Sequence, residues 1–339
     1  MMNNPKIEMY SNTSKYIKEL VEIFKTTSDK RKAHKNSFNI LKSMTYKKEI
    51  LSEIIELNLK SKNFISRKHY PVLDLPIYRN SDFHLVANCW LPLPGKQTNI
   101  TTKSLHHHGT MLLTSATSFG PGYEHWLLEK PIPIKGLDTK FTMKLIERAA
   151  HPCHHISFVD SLVVHVPMYI SDLTITYALW SDSIQTSMLD RIKANKFINK
   201  NKQFLKSLIL TLGGENIFAL KRTDFLDFYP VKGGFEGVKN RSDVEFTRGP
   251  VCDYLYSLFH IIQKTGNSSL VLNIGEEEIL KKNKDLANED KILLHSLIKK
   301  INIEETIESR LTKNIHYGFP KANFTNEQIE HALESQNTN

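Results

Sequence analysis

Several features that would point to common protein classes are scarce or missing in this chain. Only three cysteines occur among its 339 residues and none form a Cys-x-x-Cys pair, which argues against a disulfide framework. No apolar run approaches a membrane span, and residues 1–15 lack the apolar core of a signal peptide. The glycine-rich segments at 213–214 and 233–237 lack the Lys-Ser/Thr ending of a phosphate loop and are interpreted as turns. These absences predict a soluble, cytoplasmic protein without a nucleotide cofactor.

The charge balance is basic but dispersed. The formal net charge is +9, with lysines and arginines interleaved with acidic residues along the chain. The densest basic stretches, at 30–35 and 193–202, lack the aromatic partners that single-stranded nucleic acids favour. Solvated helix faces are therefore expected there, and neither a nucleic-acid nor a membrane partner is predicted. The positive field could still draw in a small anionic substrate.

The periodicity of the hydrophobic residues divides the chain into three parts. Apolar residues recur at helical spacing between 13 and 59, and again after Ser181. Between Tyr70 and Trp180 the pattern changes to short segments rich in β-branched and aromatic residues, with frequent proline and glycine. We predict an N-terminal helical segment (1–69), a mainly β barrel domain (70–182) and a mostly helical C-terminal region (183–339). Strands are expected at 83–90, 105–115, 123–128, 154–158, 162–167 and 173–180, an arrangement that favours a barrel or sandwich.

The histidine pattern of the β-rich part indicates a metal site. The segment SLHHHG, residues 104–109, contains His106 and His108, which would share one face of a strand while His107 points away. A third imidazole from a facing strand would complete one triangular side of a coordination sphere and leave the other side open. His165 in the later segment DSLVVH is one candidate, and His155 in the cluster His151, His154 and His155 is the alternative.

Five segments in this order resemble landmarks of the cysteine dioxygenase family of cupins, over about a third of the chain. They are residues 78–80 (YRN), 83–90 (FHLVANCW), 105–108 (LHHH), 160–165 (DSLVVH) and 174–181. The resemblance implies a cupin double-stranded β-helix barrel, to which the helical parts are additions at either end. It also implies Fe(II) held by His106, His108 and His165, with Arg79 binding a substrate carboxylate.

The sequence departs from the family on the last strand. The family's outer-shell Ser-x-His-x-Tyr falls on Thr176, Ala178 and Trp180, so the imidazole and the phenol are lost. Leu113 lies near the position of the cysteine that some members crosslink to that tyrosine, so that crosslink cannot form. Proton handling and oxygen orientation must then differ, because outer-shell groups tune a metal site strongly. Thr176 and Trp180 are taken, with Arg79, as the candidate catalytic residues. His125 could line the site or be structural.

The leading hypothesis is a mononuclear non-haem iron oxygenase. It would oxidise a small carboxylate-bearing thiol or amino acid derivative with dioxygen. This small molecule and dioxygen are the expected partners. Two alternatives keep the same three histidines. One is a lyase, isomerase or hydrolase that uses another divalent metal, because imidazole accepts several ions. The other is a non-catalytic cupin that binds a small molecule and uses its helices to contact a partner.

Overall fold

The computed structural model describes residues 11–65, 72–95, 97–102, 104–183, 226–238, 251–310 and 323–336. The helices of this part are α1 (Ser11–Thr26), α2 (Lys30–Asn36), α3 (Phe38–Thr45), α4 (Lys48–Leu59), α5 (Val251–Lys264), α6 (Ser268–Ile274), α7 (Glu276–Lys282), α8 (Asn288–Asn302) and α9 (Asn326–Ser335). A capping box formed by Thr325 and Gln328 begins α9. None of the described helices has the length and apolar character needed to cross a bilayer. Residues 184–225, which include the first part of the predicted helical C-terminal region, the basic stretch 193–202 and Gly213-Gly214, lie outside the described residues.

Thirteen strands are found among the described residues. They are β1 (Val72–Arg79), β2 (His84–Trp90), β3 (Leu105–His106), β4 (Met111–Phe119), β5 (Glu124–Leu128), β6 (Ile132–Pro133), β7 (Lys140–Thr142), β8 (Leu145–Ala150), β9 (Ile156–Val159), β10 (Val164–Pro167), β11 (Thr174–Asp182), β12 (Asp227–Val231) and β13 (Gly234–Val238). They form two antiparallel sheets, ordered β1-β2-β11-β4-β9 and β6-β7-β13-β12-β3-β10-β5-β8. The predicted fold, a mainly β cupin barrel with helical additions at both ends, is confirmed.

Each sheet has two differently occupied faces because side chains alternate along its strands. On β2, Leu85, Ala87 and Cys89 are buried in a core with the helices of both ends of the chain. The outer face of the second sheet packs against α9 through Ile329 and Ala332. Between the sheets lies a small apolar cluster, formed by Leu113, Leu127, Val159 and Ala178. We call the faces turned toward this cluster the inner faces.

Two strands of the second sheet come from beyond the predicted barrel segment. β12 pairs with β3 and β13 pairs with β7, so a hairpin from the region predicted to be mostly helical completes the barrel wall. The interpretation of residues 233–237 as a turn is wrong, because β13 begins at Gly234 and only Lys232 and Gly233 form the turn. Glycines are tolerated in this strand where backbones approach closely: a Cβ on Gly234 would lie 2.5 Å from the Phe141 carbonyl oxygen.

The predicted strand at 105–115 is also interrupted. β3 ends at His106 and β4 begins at Met111, with a turn between them that is closed by a hydrogen bond from the Met111 amide to the His108 carbonyl. Gly109 has a φ of +64° in this turn, a conformation that glycine adopts without strain. The chain therefore changes direction between His106 and the next strand.

His34 fastens α2 to the outer face of the five-stranded sheet. Its two ring nitrogens lie 2.7 Å from Thr114 Oγ1 and 2.9 Å from Ser181 Oγ, and the side chain is fully buried. Burial lowers the pKa of His34 to about 3. The imidazole is therefore neutral and satisfied at neutral pH.

Replacing His34 with alanine should reduce the free energy of unfolding by about 2–4 kcal/mol at pH 7, because it opens a cavity and removes the imidazole partner of the Thr114 and Ser181 hydroxyls. The fall in stability on acidification should also become shallower. Unfolded His34 binds a proton below pH 6.5 but folded His34 does so only near pH 3, so stability falls as pH falls through that window.

Urea unfolding at pH 7.5, 6 and 5 would measure both effects. The control is His295→Ala, which removes an exposed imidazole and should change stability by less than about 0.5 kcal/mol. An unchanged slope of stability against pH in His34→Ala would contradict the assignment of this proton uptake to His34.

Candidate metal centre

Three histidines converge between the two sheets. His106 on β3 lies directly opposite His165 on β10, so their side chains project to the same inner face. His108 follows β3, and its ring turns back toward the other two. The Nε2 atoms of the three rings lie 3.1 Å (106 to 165), 3.2 Å (106 to 108) and 3.4 Å (108 to 165) apart. His106 and His165 are buried and His108 is half-buried.

The second nitrogen atoms of two rings have partners that are compatible with the tautomer a metal ligand requires. Nδ1 of His106 lies 3.2 Å from the Ser104 carbonyl oxygen, which can only accept. Nδ1 of His165 lies 3.0 Å from Nε2 of His125. A proton on each Nδ1 leaves the Nε2 lone pairs directed at one another, and a shared cation removes their repulsion.

The separations also fit a single ion. With metal–nitrogen bonds of about 2.1 Å, they correspond to N–metal–N angles of about 95° to about 108°. These values lie between the angles of an octahedral face and of a tetrahedron, so the three histidines could hold Fe(II), Zn(II) or a related ion. Within the described residues, a possible metal-binding group is formed by His106, His108 and His165.

The alternative ligand, His155, lies elsewhere on the inner side of the barrel. Its ring stacks on His151 at a centroid distance of 4.4 Å, and His151 in turn lies 4.8 Å from His125. Burial, followed by the neighbouring His155, lowers the pKa of His151 to about 3. Burial also lowers the pKa of His155, and it lowers that of His125 well below the usual value. A row of neutral imidazoles therefore extends from His165 away from the triangle.

Trp180 and Arg79 lie on one cross-strand row of the five-stranded sheet. Arg79 pairs with His84, which pairs with Trp180, so all three share the inner face. The Trp180 ring stacks parallel to His84 with centroids 6.1 Å apart, and it also lies edge to face with His108, with centroids 4.7 Å apart. Arg79 is exposed at the end of β1, with His84 and Trp180 between it and His108. Its positive charge, after the larger effect of burial, lowers the pKa of His84.

Thr176 lies on the same inner face two pairs further along β11. It is buried, and its Oγ1 accepts a hydrogen bond of 3.2 Å from Trp90 Nε1. The Trp90 ring lies 5.5 Å from that of Tyr123, whose hydroxyl is hydrogen-bonded to Ser115 and whose pKa is raised by burial. Thr176 thus belongs to a polar group of the barrel interior, while the Trp180 ring contacts His108 of the metal site.

Two further residues lie beside the histidines: Asp227, which was not predicted from the sequence, and His125, whose role as a lining or a structural residue was left open. Asp227 on β12 lies opposite His106, is buried, and accepts a 2.9 Å hydrogen bond from Ser104 Oγ. His125 on β5 contacts His165 directly. The strand that carries His125 was predicted at 123–128, but the sequence carries no signal for the pairing of β12 with β3.

Cupin proteins occur among the solved structures that are similar to this chain. A cupin domain from Schizosaccharomyces pombe is 8% identical, and the match covers 39% of this chain and 77% of that one at a TM-score of 0.25. KdgF from Halomonas sp. is 10% identical over 35% of this chain and 86% of that one, at a TM-score of 0.24. An RmlC-like cupin protein from Desulfovibrio desulfuricans is 11% identical over 32% and 80%, at a TM-score of 0.20.

Similarities at this level carry no information about activity, and the fold assignment rests on the strand order and the two inner faces. No protein-family model and no curated protein matches the sequence. The chemistry must therefore be inferred from the histidine triangle and its surroundings.

Proposed function

We propose that this chain is a mononuclear non-haem iron oxygenase that resembles the thiol dioxygenases. Its substrate would be a small carboxylate-bearing thiol or amino acid derivative, oxidised with dioxygen. The observation that supports this proposal is the triangle of three Nε2 atoms, 3.1–3.4 Å apart, on the inner side of a cupin barrel. Three protein ligands on one side of an ion leave positions for both a substrate and a second small molecule.

The charge of the ligand set favours an anionic substrate. Neutral His106, His108 and His165 would not compensate the double positive charge of the ion, so a thiolate or carboxylate would bind strongly. The row through His125 and His151 is also neutral, since burial depresses the pKa of each. When bound, ferrous iron would supply a Lewis-acid site with redox activity toward dioxygen, while the substrate would supply the net electrons that reduce dioxygen.

The residues near the centre would orient the substrate and exclude water. Trp180 covers one side of His108 with its ring. Arg79 is the candidate for binding the substrate carboxylate, because its planar fork can bond both oxygens and it shares the inner face with Trp180. Thr176 is the candidate polar group deeper in the barrel, where its hydroxyl accepts from Trp90.

Oxygen uptake would test the proposal. Protein reconstituted with Fe(II) without oxygen should consume dioxygen when given at least one member of a panel of thiols and amino acids, and labelled dioxygen should enter the product. Arg79→Gln should raise KM for a carboxylate substrate by at least tenfold with a smaller change in kcat, because uniform binding is lost. The effect of Arg79→Gln on KM should vanish when the carboxylate of the substrate is replaced by an amide. Stoichiometric iron without oxygen uptake across the panel would count against an oxygenase.

A second candidate function is a cupin lyase or isomerase that uses another divalent metal. The spacing of the three Nε2 atoms would also suit a tetrahedral zinc site. The last strand carries Thr176, Ala178 and Trp180 where thiol dioxygenases have a hydroxyl, an imidazole and a phenol. Turnover by the zinc, nickel or manganese protein under strict anaerobiosis would favour this function. Ligand binding without any product would instead favour a non-catalytic binding protein.

A further inference from the structure

We propose that His125 is a positioning residue that fixes the tautomer and orientation of His165 for metal binding. This inference rests on the proposed metal centre and adds a group from β5 to it. Nε2 of His125 lies 3.0 Å from Nδ1 of His165, on the side of that ring opposite to the triangle. The two rings are nearly perpendicular, at 80°, with centroids 5.1 Å apart.

The direction of this hydrogen bond follows from what each nitrogen faces. Nε2 of His165 lies 3.1 Å and 3.4 Å from the Nε2 atoms of His106 and His108, so it must carry a lone pair if it is to bind an ion. Its single proton is then on Nδ1, and His125 Nε2 accepts it. His125 in turn carries its own proton on Nδ1. The opposite assignment would place a proton of His165 inside the triangle and abolish the site.

Packing alone does not account for an imidazole at position 125. The side chain is buried, and among the described residues its Nδ1 has no hydrogen-bond partner. A buried polar group costs free energy unless its hydrogen bonds are made, so an apolar ring of similar size would suit the space better. The ring atom of His125 that has a hydrogen-bond partner is Nε2, and this partner is the candidate metal ligand His165.

The strand position of His125 explains how the contact is held. β5 pairs with β10 so that His125 lies opposite Pro167, next to His165 along the same inner face. On its other side His125 contacts His151 edge to face, with centroids 4.8 Å apart. The ring is thus held between His165 and His151. Metal-binding histidines generally donate a hydrogen bond from their second ring nitrogen to an acceptor. His125 would be that acceptor for His165, and it differs from the usual carboxylate or carbonyl in being an imidazole.

Metal affinity in matched variants tests the inference. Cobalt(II) would be titrated into the metal-free full chain, and its affinity and visible absorption spectrum recorded. His125→Leu should bind Co(II) 10–100-fold more weakly and with an altered spectrum, since it removes the acceptor. His125→Gln keeps an acceptor oxygen and should recover most of the affinity. The control His151→Gln makes the same change one imidazole further from the triangle and should stay within threefold of the unmodified protein.

The outcomes separate this role from the proposed function. Unmodified protein that binds no metal would overturn both. A metal-binding protein in which folded His125→Leu keeps the affinity and spectrum, or in which His125→Gln loses as much as His125→Leu, would overturn only the role of His125. If His125→Leu does not fold, nitrogen-15 NMR of the zinc-loaded unmodified protein decides. It should show His165 protonated on Nδ1 and His125 on Nδ1 with a bare Nε2, and a proton on His125 Nε2 would overturn the inference.

Discussion

Replacing His165 with alanine is expected to lower the metal content from about one ion per chain to nearly none. His165 supplies one of the three Nε2 atoms of the triangle, and it also links that triangle to His125. Loss of an outer partner costs about 10–100-fold in metal affinity, so loss of a ligand itself should cost more than about 100-fold. Elemental analysis after dialysis against a weak chelator would measure the change.

The matched control is His155→Ala, which removes the other candidate for the third ligand. His155 stacks on His151 and lies outside the group of three, so this variant should keep its metal within about threefold. Metal at 100 times its dissociation constant should also stabilise the unmodified protein by about 2.7 kcal/mol, and should not stabilise His165→Ala. Equal metal loss in both variants would show that the ion is held elsewhere or by a different set.

The convergence of the three histidines was predictable from sequence, although the structure reaches it by a different route. The alternation rule placed His106 and His108 on one face of a single long strand. In the structure the strand ends at His106, and the turn that contains Gly109 returns the His108 ring to the triangle. A spacing of two residues is compatible with both backbones, so the sequence could not distinguish them.

The neighbours of the triangle were less predictable because they depend on pairing between distant strands. Asp227 lies beside His106 only because β12 pairs with β3 across more than a hundred residues of chain. The glycine-rich sequence after it indicates a turn, and its local pattern carries no sign that it forms strand β13. His125 was left open between a lining and a structural role, because its contact with His165 follows from the register of β5 against β10.

The strong features of the fold were predictable where local pattern and burial agree. Strands at 83–90, 123–128, 162–167 and 173–180 match β2, β5, β10 and β11 to within two residues at each end. These segments have β-branched and aromatic residues bounded by glycine, proline or aspartate. The boundary of the barrel segment at 182 remains a prediction, but the strand pair β12–β13 beyond it contributes to the same sheet.

The second large effect is expected for Gly122→Ala, at the point where the chain enters β5. Gly122 has a φ of +83°, and a Cβ there would lie 1.9 Å from the carbonyl oxygen of His151. That contact is with backbone, which cannot rotate away, and His151 is already tied to this segment by its amide hydrogen bond to the Tyr123 carbonyl. Overpacking costs about 1–3 kcal/mol and the left-handed conformation about 1–2 kcal/mol more. The variant should therefore lose about 2–5 kcal/mol of stability.

Gly136→Ala separates the two contributions. Gly136 has nearly the same φ, +82°, but a Cβ there would meet nothing within 4 Å, so only the conformational cost of about 1–2 kcal/mol should remain. Thermal melts of the two variants would show the difference. If Gly122→Ala melts no lower than Gly136→Ala, the approach of His151 to Gly122 is not a constraint of the folded state. A lower melt would support the close approach of the His151 backbone to Gly122, in the same segment whose His151 ring lies against His125.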